Sequence, residues 1–265
     1  MRSEFELVIG EGGEPPAGLP LRLAKIHREA DADDHVMLKF RWAESVDPVE
    51  VDRTPDVADL VVWAGFEITR SRIDPPRDPG SSTVIEATRL RTLPDYVSDA
   101  MDILICGLNP SLNSADLKVG FGRAGNRFWP AALDAGLLSI DRDPVDALVE
   151  HRVGMTDLVK RATPRAASLT TDEYAAGVRR LDRLCDWLKP DVVCMVGLAG
   201  WRAAVDRKAV AGVQSRRIGH SMVYVMPSTS GLNASSSLAD LTEHLTRAAD
   251  PGQRRPEHGC HTPSS

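Results

Sequence analysis

The sequence predicts an α/β chain: a three-layer α/β/α sandwich with a mainly parallel central sheet, preceded by a small β-rich N-terminal extension. Three observations lead there. Short continuous apolar runs, MDILICG (101–107), DVVCMVG (191–197) and MVYVMP (222–227), suit strands buried on both faces. Helical periodicities lie between and after these runs, and alternating strands and helices build a parallel sheet covered by helices. The charge also changes along the chain. Residues 1–98 hold 12 Lys+Arg against 19 Asp+Glu, a balance of −7, whereas residues 99–265 hold 20 against 19, a balance of +1.

Taken in order, GEGGEPPAGLP (10–20) reads as a turn or loop. HVMLKFRWA (35–43) alternates, and DLVVWAGFEITR (59–70) is an apolar, β-branched run, so both read as strands. The stretch RSRIDPPRDPGSSTVI (70–85), rich in Pro, Gly and Ser, reads as a linker that closes an acidic extension over residues 1–85. The second unit spans 98–250. In it NRFWPAALDAGL (126–137) has Asn126 as N-cap and Gly136 near its end. TTDEYAAGVRRLDRLCDWLKP (170–190) opens on capping residues. It carries Val178, Leu181, Leu184, Cys185 and Leu188 at helical spacing and stops at Pro190. SLADLTEHLTRAAD (237–250) is a last amphipathic helix, and 251–265 reads as a disordered tail.

With 265 residues, 42% of them hydrophobic, the chain can bury a sizeable core. No apolar run approaches the ~18–20 residues of a membrane span. The acidic start lacks the apolar segment of a secretory signal. Four cysteines, at 106, 185, 194 and 260, form no CxxC pair, and the seven histidines show no metal-ligand spacing. These features fit a cytoplasmic protein, nucleoid-associated if bacterial, with no metal or organic cofactor and no membrane partner. A net charge of −6 argues against passive coating of nucleic acid but leaves room for a local site on the neutral half.

In open parallel sheets ligands bind beyond the carboxyl ends of the strands. Two polar, Gly/Pro-shaped loops stand there: Gly107-Leu108-Asn109-Pro110-Ser111-Leu112-Asn113-Ser114 and Met226-Pro227-Ser228-Thr229-Ser230-Gly231-Leu232-Asn233. They should face each other across one cleft. Neither is a phosphate-binding loop or a nucleophile elbow, and GFGRAG (120–125) follows no strand.

Four blocks in this order, GLNPSLNSA (107–115), F-x-x-x-GNRFWPA (121–131), GMTDLVKRAT (154–163) and MPSTSGLN (226–233), resemble the mismatch-specific uracil/thymine DNA glycosylases, the Mug/TDG branch of the uracil-DNA glycosylase superfamily. The resemblance covers about residues 98–248 and leaves 1–85 outside. It implies a uracil-DNA glycosylase-like fold and a monofunctional enzyme of base excision repair. Such an enzyme flips uracil out of mismatched or damaged duplex DNA and directs water at C1′; thymine, ethenocytosine and hypoxanthine are further candidate bases. It also implies roles. Asn109 positions the water, and an amide there rather than a carboxylate implies slow turnover. Leu108, Pro110, Ser111, Ser114 and Phe121 form the base pocket, with Phe121 stacking on the base. Leu232 in Gly231-Leu232-Asn233 wedges the duplex, and Ser228 and Ser230 contact flanking phosphates. Asn126, Phe128 and Trp129 read as structural. Arg123, Lys118, Lys160, Arg161 and Arg165 read equally as backbone-contacting charge or as a solvated face.

Two departures stand out. Ser111 replaces the second glycine of the family's GINPG, adding a side chain beside the pocket. Ala234 stands where some relatives carry Arg, and the STSGLN form resembles relatives that act on hypoxanthine. No lysine is placed as a Schiff-base nucleophile, so no lyase activity is expected. The rival readings are a catalytically weakened mismatch sensor and a small-molecule nucleoside hydrolase. The extension is open to three roles: partner-binding module, regulator or shield.

Overall fold

The computed structural model describes residues 2–13, 15–73 and 80–250. The expected tail, 251–265, and the centre of the expected linker, 74–79, lie outside them.

The chain forms two sheets. The first contains β1 (Arg2–Ile9), β2 (His35–Trp42), β3 (Phe66–Ile73) and β4 (Ser82–Arg89), in the order β1-β2-β4-β3. Its first pair is parallel and the other two are antiparallel. Helix α1 (Leu19–Glu29) crosses over between β1 and β2, and α2 (Pro48–Arg53) and α3 (Val57–Trp63) precede β3. The β-rich extension is therefore present, with three helices in addition.

Two sequence expectations are corrected here. Residues 59–70 are not one strand: 59–63 belong to α3, and β3 starts at Phe66. Val57, Leu60 and Val61 are buried at helical spacing, and Asp56 caps the helix by accepting from the Ala58 N–H at 2.9 Å. A short apolar run does not by itself distinguish the two periods. Nor is 70–85 a linker throughout, because 70–73 and 82–85 are paired strand residues of β3 and β4. The Pro/Gly/Ser stretch thus connects two antiparallel neighbours.

The second sheet is built from β5 (Ile103–Gly107), β6 (Val153–Asp157), β7 (Val192–Val196), β8 (Gly212–Val213) and β9 (Met222–Met226). Its order is β6-β5-β7-β9-β8, parallel except for the edge strand β8. The three apolar runs are β5, β7 and β9, each buried along its whole length. The helices are α4 (Leu112–Leu117), α5 (Phe128–Asp134), α6 (Pro144–Val149), α7 (Thr171–Leu188), α8 (Leu198–Ala204) and α9 (Leu238–Ala249). Helices α7 and α8 share one apolar cluster and α5 and α9 another, one on each face of the sheet, which gives the expected α/β/α sandwich. Thr170 and Glu173 form the capping box of α7, and its five periodic apolar residues are all buried. Strand β6, VGMTD, escaped the sequence reading because Gly and Thr interrupt its apolar run.

The two sheets share one core. Leu23, Leu60 and Val61 of the first region belong to the same buried cluster as Val97, Leu104 and Leu184 of the second. Asp59 pairs with Arg183 of α7, whose guanidinium lies 5.4 Å from the centre of the Trp63 ring.

Candidate active site

The chain leaves β5 at Gly107 and β6 at Asp157, neighbours in register. Their following loops run together. The N–H of Leu158 donates to the Gly107 carbonyl at 2.8 Å, that of Val159 to Leu108 at 3.0 Å, and that of Thr163 to Pro110 at 3.1 Å. The block GMTDLVKRAT is thus β6 followed by a segment that tracks the GLNPS loop.

This tracking fixes Asn109. Its Nδ2 donates to the carbonyls of Pro110 (3.1 Å) and Arg161 (3.0 Å) and to Thr163 Oγ1 (2.8 Å). Two carbonyl acceptors identify that end of the amide as the nitrogen. The Oδ1 accepts no hydrogen bond from a described residue, so it is free to hold a water. Ser111 is the N-cap of α4: its Oγ accepts from the Ser114 N–H and donates to Ser114 Oγ, both at 3.0 Å. The departure from glycine is therefore used to start a helix.

Phe121 has φ 55°, in the left-handed region where a bulky residue is strained by roughly 1–3 kcal/mol. Its ring stacks on buried Phe128, with centroids 4.3 Å apart and planes at 26°. Phe128 and Trp129 are fully buried, as expected of structural residues. The N-cap of α5 is Arg127 and not the expected Asn126, whose Oδ1 accepts from the Phe128 N–H at 3.0 Å from one residue further out.

The loop after β9 closes the other side. Arg127 holds it, donating to the carbonyls of Asn233 (2.6 Å), Ser230 (3.3 Å) and Ser236. A side chain at Gly231 would put its Cβ 2.7 Å from the Gly125 carbonyl oxygen, so only glycine permits this approach. Asn233 ties the loop to itself, donating to the Ser228 carbonyl at 2.8 Å, and Ser228 and Ser230 hydroxyls accept from N–H groups two residues on. Leu232 at the tip is 83% exposed.

These pieces surround a cavity of about 360 Å³, within the range of roughly 300–1,000 Å³ typical of ligand pockets. Of the sequence-predicted residues, Leu108, Asn109, Pro110, Ser111, Ser114, Phe121, Ser228, Ser230 and Leu232 line it. Gly231 and Asn233 shape the loop instead. Leu108 also packs against Gly200 of α8. Of the five candidate cations, Arg123 and Arg165 are exposed and line the cavity. The others are engaged elsewhere: Lys118 with the Arg28 and Ala30 carbonyls at the end of α1, Lys160 with Asp95, and Arg161 with Glu173. A larger groove of about 770 Å³ lies at the opposite end of the sheet, where Asp99, Lys189 and His220 precede the strands.

Sequence reasoning missed Thr163, Arg127 and above all Asp157, a partly buried carboxylate lining the cavity. Burial pushes its pKa up to about 6; Asp95 adds to this, while Lys160 and Arg180 oppose it. Under it lies an ion cluster. Asp95 accepts from Lys160 Nζ (2.7 Å), Arg180 (2.6 Å) and Thr156 Oγ1 (2.6 Å). Burial alone would raise the Asp95 pKa, but these cations hold it below the ordinary range. The signal was present in the strand-final position of Asp157, but it could be read only once TD was known to end a strand.

A solution NMR structure of a provisionally assigned uracil DNA glycosylase from Methanosarcina acetivorans is similar at 24% identity and a TM-score of 0.43. The match covers 60% of this chain and 97% of that one. The model of the uracil DNA glycosylase superfamily matches residues 94–249, which take in the whole second sheet and every residue of the site from Asp95 to Leu232. The chain belongs to the uracil DNA glycosylase superfamily.

Proposed function

We propose that the protein is a monofunctional DNA glycosylase of the mismatch-specific type, releasing uracil from duplex DNA. Thymine, hypoxanthine and ethenocytosine are further bases to be tested. The observation that carries this reading is the free Oδ1 of Asn109, held by three hydrogen bonds on its nitrogen side in a cavity walled by Phe121. An amide oxygen can orient water without deprotonating it, which suffices when the leaving base stabilises its own negative charge. Phe121 offers the platform for a flipped base, and exposed Leu232 is the wedge that fills the vacated stack. Arg123 and Arg165 supply charge for phosphates.

The test is single-turnover release from duplexes holding uracil opposite guanine or adenine, thymine opposite guanine, ethenocytosine or hypoxanthine. Asn109→Ala should slow release by about 100-fold or more, the scale of a lost positioning group. Leu232→Ala should slow release from duplex and spare a single strand. Mismatch binding without release would indicate a sensor. Release from a free nucleoside, indifferent to Leu232, would indicate a small-molecule hydrolase.

A further inference from the structure

We infer that helix α1 of the first region seats the base platform of the second, with Lys118 as the positioning residue that carries the place of α1 to Phe121. This rests on the glycosylase reading above, in which Phe121 stacks on the flipped base, and it gives the N-terminal extension a part in that site.

Two residues in one turn need holding. Lys118 and Phe121, three positions apart, both have φ 55°. A non-glycine residue keeps that conformation where its surroundings over-determine it. Within the turn, the Val119 N–H donates to the Ser114 carbonyl at 3.1 Å and the Gly122 N–H to the Val119 carbonyl at 3.2 Å. Further restraint comes from outside it. Trp129 Nε1 of α5 donates to the Gly120 carbonyl at 2.9 Å. Arg91, on the segment before β5, holds Asp116 of α4. Lys118 Nζ donates to the carbonyls of Arg28 (2.8 Å) and Ala30 (3.0 Å).

Those two carbonyls lie where α1 ends, at Glu29 with Ala30 as its C-cap. Carbonyls at a helix end lack partners inside the helix and attract a cation. Asp31 lies 3.6 Å from the same Nζ and adds to the attraction. Earlier on α1, Ala24 is fully buried in one apolar cluster with Val119, Phe128 and Trp129, and Phe121 packs against that cluster. Helix α1 thus reaches the turn twice, through a charge at its end and through a shared apolar cluster on its flank. The rest of the site is anchored separately. Ser111 and Ser114 bond to each other at the start of α4, and Asn109 is held by Arg161 and Thr163. Loss of the Lys118 bonds should therefore fall on the platform and spare the water-positioning amide.

The experiment is a double-mutant cycle in the full chain, read as single-turnover release of uracil opposite guanine with protein in excess. Lys118→Met keeps the length of the side chain and removes its donor, and should slow release by about tenfold. Phe121→Ala should slow it further. The double variant should be no slower than Phe121→Ala, because Lys118 acts through that ring. Lys118→Arg, which keeps a charged donor, should restore most of the rate. Losses that multiply in the double variant overturn the inference, and so does an unchanged rate in Lys118→Met. The salt dependence of binding to an unmodified duplex should be the same for Lys118→Met and wild type. A slope reduced by about one unit would place Lys118 on a phosphate and overturn the inference. A second arm needs no chemistry. Backbone amide exchange at Val119 and Gly122 should quicken in Lys118→Met while that of β7 stays as in the wild type. Unchanged exchange at those two amides overturns the inference. Should no protein release any base, the glycosylase reading fails, and the exchange arm still decides whether Lys118 holds the turn.

Discussion

The two sheets of this chain solve burial differently. In the first, one face is covered and the other open. Strand β2 alternates, with Val36, Leu38, Phe40 and Trp42 buried, and the open face carries the cross-strand pairs Lys39–Glu4 and Arg41–Glu6. In the second, β5, β7 and β9 are buried on both faces, so polar chemistry is pushed to the strand ends. Asn109, Asp157 and the Ser228–Leu232 loop all follow or end strands of the second sheet. The contrast teaches where to look: polar residues gather where strands buried along their length stop. The first sheet reaches the site through the segment that joins β4 to β5. There Arg91 pairs with Asp116 of α4 through two hydrogen bonds of 2.6 Å, Leu93 lines the cavity, and Asp95 holds Lys160 and Arg180.

The largest effect should come from cutting that connection. Asp95→Ala leaves two cations without their carboxylate in a buried place, and losing one partner of a buried ion pair costs about 3–5 kcal/mol. Chemical denaturation at pH 7 measures it. The pH dependence has a definite sign. The Asp95 pKa is lowered on folding, so its stabilisation is present above the ordinary carboxylate pKa of 3.8. It is lost as pH falls below that value toward the folded pKa. The gap between wild type and variant should therefore close in acid. A gap that is constant down to pH 2 would show that the cluster contributes packing and no charge pairing.

A smaller effect tests whether the two sheets are one folding unit. Leu23 of α1 is fully buried in the shared cluster, and Leu23→Ala should cost roughly 2–5 kcal/mol. Both regions should melt together at the lowered temperature. Two separate transitions, with only the first displaced, would break the comparison by making the first sheet an independent module.

How much of this was legible in the sequence follows from the same contrast. The three apolar strands, the capping box at Thr170 and the two facing loops were readable because each is a local pattern with a single physical meaning. The α3–β3 division was not, because the apolar helical residues Leu60–Trp63 followed closely by a strand look like one run. In the site, Asn109, Phe121 and Leu232 were found through the motifs that contain them. Asp157 and Arg127 were not, since their roles depend on partners distant in sequence: Gly107 for one, the Ser230–Ser236 carbonyls for the other.

The smallest expected effect sharpens the comparison most directly. Lys39 and Glu4 pair across β1 and β2 on the open face, both about half exposed. An exposed pair of this kind contributes about 0–1 kcal/mol, because water and salt screen it and two long side chains must be ordered. Lys39→Ala should thus shift the melting midpoint little, and should leave base release and the salt dependence of duplex binding unchanged. The salt slope is the informative reading. Each cation on DNA contributes close to one unit of slope, whatever its effect on stability. An unchanged slope keeps DNA on the second sheet alone, with Arg123 and Arg165 beside the cavity. A slope reduced by about one unit would place Lys39 on a phosphate and make the open face of the first sheet part of the DNA track.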